Sequence, residues 1–328
     1  MTNNKLRWGL LSTARINRSV IPPIRASARG ELVAVASRDL AKAEAYARER
    51  NIPKAFGSYE AMLESDEVDV IYVSVPNGLH AKWAIKCAEA GKHVLLEKPF
   101  TTTVAGAEQV IAAVARTGKV VAEAFMYRHH PQTLKVKELV ESGAIGDVHV
   151  VKGSFTFTIS REDDPRLNPT LGGGSVWDVG CYPISLAQFI FGDKPQEVFG
   201  WQKNDPSGTD GVFVGQMRYA NGKFAQFDCG FRSPYRTQAE IVGSTGAIAL
   251  TETFKPRADS LLVLRRGDEL ERVAVDDRPL YVGEIEDMHD SILEGKPPRV
   301  SLADSRNHIA TICALYESAK SGKIVGVP

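Results

Sequence analysis

Strand-like and helix-like segments alternate over residues 1–125, and this alternation constrains the fold more than any other feature of the chain. Short apolar runs are separated by segments in which apolar residues recur with helical periodicity. Gly91 and Gly118 come directly after two of the helical segments, where helices commonly end. Short strands joined by crossover helices form a parallel, doubly wound sheet, which binds ligands at the carboxyl ends of its strands. The predicted strands are 6–11, 31–36, 68–75, 93–97 and 120–124, and the predicted helices are 40–50, 80–90 and 104–116.

The pattern changes near residue 126, so we expect two domains, at 1–125 and 126–328. In the second domain, long strand-like segments surround one apolar helix that starts near Ser175 and ends at Phe191. Asn221-Gly222 between two of these segments predicts a type I′ hairpin. We therefore expect an α+β domain built on a largely antiparallel sheet. Its predicted strands are 148–159, 211–219, 223–232, 238–242, 247–251 and 260–265, and its other predicted helices are 134–142, 284–293 and 304–320.

Composition and charge exclude several classes of partner. The 40 Lys and Arg residues balance the 40 Asp and Glu residues, which argues against nucleic acid or an anionic membrane as a partner. No segment approaches the roughly 18 to 20 apolar residues that span a bilayer, and the first residues lack the apolar core of a secretory signal. The four cysteines are widely spaced and the seven histidines are scattered, so we expect a cytoplasmic protein without a metal site.

The segment between the first strand and the first helix has the rhythm of a dinucleotide-binding turn but lacks its glycines. Ser12, Ala14 and Asn17 occupy the positions of the glycines in G-x-G-x-x-G. Ser and Ala obstruct a phosphate least after Gly, and Ser12 can donate a hydrogen bond to it. The helix N-terminus still offers N–H groups to an anion. The turn alone is equally consistent with an ordinary connection between a strand and a helix.

Residues at two further strand ends extend this interpretation. Ser37 and Arg38 end the second strand, where an NAD site places an acid for the ribose hydroxyl, and Lys42 follows one turn later. The Ser37 hydroxyl and the cationic side chains of Arg38 and Lys42 suit the 2′-phosphate of NADP, so we predict NADP as the cofactor. The use of NAD stays open, and the alternative interpretation of Arg38 is a solvated arginine in a loop. Pro76 and Pro99 stop their strands, which carries Lys98 to the crevice where a nicotinamide would lie, unless Lys98 is an ordinary surface lysine.

The order and spacing of these motifs make the chain resemble the family of glucose–fructose oxidoreductase, inositol dehydrogenase and MocA proteins. Within it, residues 123–132 and Tyr182 are most similar to dimeric dihydrodiol dehydrogenases and NADP-dependent D-xylose dehydrogenases. Many relatives have histidine at the position of Tyr182, which leaves the proton-transfer group open. The matching segments are 6–17, Ser37-Arg38-Asp39, Pro76-Asn77-x-x-His80, Glu97-Lys98-Pro99, Gly172-Gly173-Gly174 and Asp178-x-Gly180. The resemblance implies a Rossmann domain whose cofactor-binding residues are Ser12, Thr13, Ala14, Arg15, Ile16, Ser37, Arg38, Lys42, Pro76, Asn77, His80, Glu97 and Lys98.

Hydride transfer from a secondary alcohol requires an acid/base for the hydroxyl proton and a cation for the developing alkoxide. We assign the proton transfer to Tyr182 and the electrostatic role to Lys98, whose ammonium favours a phenolate; the reverse allocation is the alternative. Asp178 lies four residues before Tyr182 and shares its face on a continuous helix, which Pro183 threatens to kink. A carboxylate there needs a partner, and Lys98 or a substrate hydroxyl would serve, although Asp178 as a structural cap is an alternative.

Two candidates have open roles. His80 either lines the substrate side of the nicotinamide or is a satisfied histidine at a helix N-terminus. Arg128 either holds a substrate hydroxyl or ties the two domains together.

The chain is therefore predicted to be an NADP-dependent oxidoreductase of a sugar, polyol or cyclic diol. The alternatives are a reductase of keto-sugars or nucleotide-sugars and a catalytically silent NADP-binding sensor. A sheet with too few helices to cover both faces predicts a homodimer, as in the relatives that the chain resembles.

Overall fold

The computed structural model describes residues 5–328, which form two compact units. The first contains the chain up to Thr101 together with Ala105–His129 and Tyr281–Ser305, and the second contains the remainder. From the first strand to the last strand of the first unit, the elements are β1 Leu6–Leu11, α1 Asn17–Ala26, β2 Gly30–Ala36, α2 Leu40–Arg50, β3 Lys54–Phe56, α3 Tyr59–Leu63, β4 Val70–Val73, α4 His80–Glu89, β5 His93–Glu97, α5 Val104–Thr117 and β6 Val121–Ala124.

The elements that follow β6 lie in the second unit, except for α8 and the first turn of α9, which lie in the first unit. They are α6 Pro131–Glu141, β7 Val148–Thr158, α7 Cys181–Phe191, β8 Glu197–Asn204, β9 Asp210–Arg218, β10 Phe224–Gly230, β11 Arg232–Arg236, β12 Ala239–Gly243, β13 Ala247–Leu250, β14 Leu262–Arg266, β15 Glu269–Arg272, α8 Val282–Leu293, α9 Leu302–Ser321 and β16 Val325–Gly326. None of the helices within residues 5–328 is long and apolar enough to cross a membrane.

The sheet of the first unit is parallel, with the strand order β3-β2-β1-β4-β5-β6. The order reverses between β1 and β4, and doubly wound sheets bind their ligands at such a point. The predicted doubly wound fold is confirmed, and all five predicted strands form. Gly91 (φ +78°) and Gly118 (φ +66°) end α4 and α5 in the left-handed conformation, as predicted.

Helix α8 belongs to the first unit, although the linear division at residue 126 places it in the second domain. The Trp8 indole N–H donates to His289 Nε2 at 3.0 Å, and Met288 is buried in the core of the first unit. Arg29 forms ion pairs with Glu286 and Asp290 of the same helix. No local sequence pattern marks a helix that returns to pack on an earlier sheet. A division of the chain at one residue therefore cannot assign α8 to the first unit.

The second unit contains a ten-stranded sheet with the order β15-β14-β13-β12-β7-β10-β9-β8-β16, and β11 also pairs with β7. Only β7 and β10 pair in parallel among its described strands, which confirms the predicted largely antiparallel sheet. Asn221 (φ 58°) and Gly222 (φ 71°) have the two positive φ values that the predicted type I′ hairpin requires. The Lys223 N–H closes this turn on the Ala220 carbonyl oxygen.

Candidate active site

Ser12 follows β1 with a backbone φ of +127°, a value that glycine adopts far more readily than serine. Its hydroxyl oxygen accepts a hydrogen bond from the Ala14 N–H at 3.1 Å and lies 2.9 Å from Ser74 Oγ. Asn17 Nδ2 donates to the Ser12 carbonyl oxygen, and Ser74 Oγ donates to Asn17 Oδ1, both at 2.7 Å. Ser12 therefore has the conformation of the first glycine of a nucleotide-binding turn. Its hydroxyl, which the sequence predicts to contact phosphate, points to Ser74.

The turn between Ser12 and α1 fits an anionic ligand. The main-chain N–H groups of Thr13, Arg15 and Ile16 have no acceptor among residues 5–328. Thr13 and Ile16 are half-buried and Arg15 is exposed. Such N–H groups at the start of a helix, with its positive dipole end, favour a phosphate. The dinucleotide that the fold implies therefore has a place for its pyrophosphate here.

Ser37 and Arg38 follow β2 at the same edge of the sheet. The Ser37 N–H donates to the Phe56 carbonyl oxygen at 3.0 Å, which ties the end of β2 to β3. The Asp39 carboxylate accepts the Lys42 N–H at 3.2 Å and caps α2. The nearest acid is therefore used as a helix cap, while the side chains of Arg38 and Lys42 are exposed where NADP-binding domains bind the 2′-phosphate.

Lys98 directly follows β5 and is half-buried. The Glu97 carboxylate accepts hydrogen bonds from the Lys98 N–H, at 3.2 Å, and from the Tyr72 hydroxyl. Burial and the negative charge of Glu97 raise the pKa of Tyr72 well above its usual value, so the phenol keeps its proton and donates. Pro76 and Asn77 occupy the neighbouring loop after β4. The first unit thus brings the predicted cofactor residues to one edge of its sheet.

His80 is completely buried, and its imidazole joins the loops that follow β4 and β5. Nδ1 lies 2.7 Å from the Pro99 carbonyl oxygen and Nε2 lies 2.9 Å from that of Val75. These two contacts favour a charged ring, but burial and the positive charge of Lys98 outweigh them and lower the pKa of His80 to about 4. A neutral ring has a single N–H and donates to only one of these carbonyl oxygens. His80 thus lies between two loops of the first unit, and its contact with the nicotinamide stays a prediction.

Arg128 is also buried, and its guanidinium lies 3.9 Å from the Asp304 carboxylate within the first unit. Its main-chain N–H donates to the Phe125 carbonyl oxygen at 2.9 Å, in the turn that follows β6. The ion pair stabilises this turn. The contact of Arg128 with a substrate hydroxyl stays a prediction.

In the second unit, Asp178 has an ion-pair partner that the sequence does not identify. Arg166 Nε lies 3.0 Å from Asp178 Oδ2, and the same guanidinium contacts Asp164 and lies over the Phe157 ring. The Gly174 N–H donates to the Arg166 carbonyl oxygen at 2.9 Å, so the glycine-rich corner fixes the arginine from the main-chain side. Arg166 therefore orients the Asp178 carboxylate.

Asp178 and Tyr182 lie on consecutive turns of one helical segment. This segment differs from the continuous α-helix that the sequence analysis assumes. A π-helical turn at Val176–Gly180 precedes α7. Pro183, the residue that threatens a kink in the sequence analysis, is the third residue of α7 and follows this π-helical turn directly. Tyr182 is 4% exposed.

Two supports hold this segment. The Tyr182 ring packs against Phe155 and Phe254 at centroid distances of 5.2 and 5.5 Å. At the other end, the buried Asp210 carboxylate accepts hydrogen bonds from Ser175 Oγ (2.6 Å), the Val176 N–H (2.8 Å) and the Tyr316 hydroxyl (2.7 Å). Burial raises the pKa of Asp210 despite these donors. An acidic residue directly before the apolar predicted strand 211–219 is the signal that could have identified Asp210 from sequence.

Two family models match this chain, one in each part of the sequence. Residues 6–125 match the oxidoreductase family with an NAD-binding Rossmann fold, and residues 133–249 match the GFO/IDH/MocA C-terminal domain. D-xylose 1-dehydrogenase (NADP(+)) 2 of Haloferax volcanii is 37% identical over 325 residues, which cover 98% of this chain and 99% of that protein. Trans-1,2-dihydrobenzene-1,2-diol dehydrogenase of Xenopus laevis is 30% identical over 93% of this chain and 95% of its own length.

Among solved structures, a 3-ketoreductase from Actinomadura kijaniata in complex with NADP and TDP-benzene has a TM-score of 0.90 to this chain. The two are 29% identical, and the match covers 96% of this chain and 98% of that one. The similarity therefore extends over both units.

Proposed function

This chain belongs to the GFO/IDH/MocA oxidoreductase family, and we propose that it transfers a hydride between NADP and a secondary alcohol or carbonyl group of a sugar, polyol or cyclic diol. The observation that carries the proposal is the placement of Lys98. It lies at the carboxyl end of β5, near the point where the strand order reverses, and Glu97 fixes its main chain. A bound nicotinamide supplies the hydride acceptor for oxidation and the donor for reduction.

In the proposed reaction, Tyr182 transfers the proton and Lys98 stabilises the negative charge. The Tyr182 oxygen takes the hydroxyl proton during oxidation and returns it during reduction. The Lys98 ammonium stabilises the phenolate and the developing alkoxide. Asp178, oriented by Arg166, accepts a hydrogen bond from a neighbouring substrate hydroxyl. The N–H groups of the turn after Ser12 hold the pyrophosphate.

A substrate screen tests the proposal. NADP⁺ reduction is measured with aldoses, inositols and cyclic diols, and NADPH oxidation is measured in parallel with ketoses. Turnover with at least one of these classes is expected, and no turnover with tight NADP binding would instead favour a silent sensor.

A nucleotide-sugar ketoreductase is the second candidate, and the similarity to the 3-ketoreductase of Actinomadura kijaniata favours it. The two candidates differ in the substrate that is turned over. NADPH oxidation with a nucleotide-linked keto-sugar, and none with the free sugar, would establish the second.

We also propose that the protein is a cytoplasmic homodimer whose partners are small molecules and not nucleic acids. Trp201, Val214 and Phe224 of β8–β10 have exposed fractions of 57%, 43% and 48%. Helix α7 packs against β7 and β10, while Val214 and Phe224 alternate along their strands with buried residues and lie on the uncovered face. A second copy would remove these apolar side chains from water.

A further inference from the structure

Glu123 of β6 is a buried acid that the proposed chemistry does not use. Its side chain is 1% exposed, and both carboxylate oxygens accept hydrogen bonds within the first unit. Oε1 accepts the Phe100 N–H at 2.7 Å, and Oε2 accepts the hydroxyl of Ser305 in the first turn of α9 at 2.7 Å. Because Phe100 is two residues after Lys98, this carboxylate holds the loop that carries the lysine.

The charged groups around Glu123 come from three elements. Lys98 on the loop after β5 and Arg128 on the turn after β6 both favour the ionised carboxylate. Asp304 of α9 pairs with Arg128 and offsets part of that positive charge. His80 of α4 contacts the same loop through Pro99, and at neutral pH it is uncharged. The carboxylate is thus the negative charge that faces Lys98 and Arg128 from β6.

We propose that Glu123 is a positioning residue for the reaction: its carboxylate fixes Lys98 through the Phe100 main chain, so that protonation of this group weakens the hold on the loop. Burial raises the pKa of Glu123 to about 7, although its two hydrogen bonds, Arg128 and Lys98 all oppose the rise. Above this pH the carboxylate accepts both hydrogen bonds. Below it, the protonated oxygen donates to Ser305, whose hydroxyl reverses its role, and the negative charge near Lys98 is lost. The Phe100 N–H then donates to a neutral carboxyl group, and this hydrogen bond is weaker than the one to the carboxylate.

The inference rests on the proposed function, but the pH dependence of the Phe100 amide signal tests it without any enzyme turnover. The sequence contains one Pro-Phe pair, Pro99-Phe100, so protein labelled with ¹³C at the proline carbonyl and ¹⁵N at phenylalanine gives one correlated amide signal. In the wild-type protein this signal should shift with pH, with a midpoint near 7. Glu123→Gln keeps an acceptor for the Phe100 N–H but cannot ionise, so its signal should not titrate. Ser305→Ala removes a donor to the carboxylate and should move the midpoint to higher pH.

Turnover separates positioning from a merely structural role. The Glu123→Gln enzyme should lose about tenfold in kcat above pH 7, with little change in KM and without the step in the pH profile near 7, because it resembles the protonated wild-type protein at every pH. The exposed Glu64→Gln is the matched control and should behave as wild type. A Phe100 signal that does not titrate, or a Glu123→Gln enzyme with the wild-type pH profile, would overturn the proposal. If the wild-type protein turns over no substrate, the proposed function fails, and the Phe100 titration still decides the role of Glu123.

Discussion

The Arg166 guanidinium and the Asp178 carboxylate lie 3.0 Å apart, and this ion pair ties the loop before the glycine-rich corner to the helical segment that carries Tyr182. Replacing the arginine should remove this constraint on the orientation of the Asp178 carboxylate. We expect Arg166→Gln to lower kcat/KM by about tenfold, because about half of the arginine is exposed and solvent screens the pair. Arg161→Gln on the same loop removes an exposed ion pair with Asp163 and is the control. Equal kcat/KM values for both variants would show that Arg166 does not orient Asp178.

We expect Arg38 to determine the choice between NADP and NAD. Its exposed guanidinium lies at the end of β2, and the nearby acid Asp39 is used to cap α2. Arg38→Ala should weaken NADP binding by about one to two orders of magnitude and leave NAD binding nearly unchanged, because only NADP has the 2′-phosphate. Binding titrations of both cofactors measure this effect, and Arg48→Ala on the exposed side of α2 is the control. An equal loss for both cofactors would place the 2′-phosphate elsewhere.

The positive φ of Ser12 predicts opposite outcomes for two small replacements. Ser12→Ala keeps a side chain at φ +127° and loses the hydrogen bonds to Ser74 and Ala14, so it should lower the free energy of unfolding by about 1–3 kcal/mol. Ser12→Gly loses the same hydrogen bonds but accepts this conformation without strain, so its loss should be smaller. Urea unfolding measures both. Equal losses would mean that the backbone conformation is not the cause.

The proposed dimer depends on the uncovered face of the second sheet. Light scattering should give a dimer for the wild-type protein at micromolar concentration. Charged residues in place of Val214 and Phe224, as in the double variant Val214→Lys/Phe224→Lys, should give a monomer, because the exposed apolar side chains are then replaced by cations. Leu270→Lys replaces an exposed leucine of β15 and is the control. A monomeric wild-type protein would contradict the proposal.

Periodicity predicted the elements that place the site, because β1, β2, β4 and β5 are buried apolar runs whose ends are marked by polar or proline residues. It missed the strands β3, β8, β11, β15 and β16 and the five-residue helix α3, since very short elements and largely exposed strands of mixed composition carry little periodic signal. The π-helical turn before Tyr182 was also beyond prediction, because the buried Asp210 that anchors its start comes from more than thirty residues later in the chain.

Tertiary contacts that no local sequence pattern encodes explain what was missed in the site. Arg166 reaches Asp178 through a loop whose course no spacing rule sets, and Glu123 reaches Phe100 across neighbouring strands. The sequence left His80 open between a ligand contact and a satisfied histidine, and neither interpretation predicted that its ring contacts the loops after two different strands. Sequence patterns predicted which residues lie at the strand ends, but they did not predict the neighbouring residues that fix the positions of these residues.

In the proposed reaction, Lys98 and Tyr182 act together on one reacting hydroxyl. Lys98→Met and Tyr182→Phe each remove a polar group and keep most of the volume, so NADP binding should persist. Each change should lower turnover by about two to four orders of magnitude on a competent substrate. Tyr182→Phe should also flatten the alkaline side of the pH dependence of oxidation if the phenol transfers the proton.

The most direct test is the turnover of the double variant Lys98→Met/Tyr182→Phe, measured with both single variants on the same substrate. Groups that work as one unit give strongly non-additive effects, so the double variant should be barely slower than the slower single variant. Losses that multiply would contradict joint action of the two residues. Near-normal turnover in all three variants would contradict the assignment of the site.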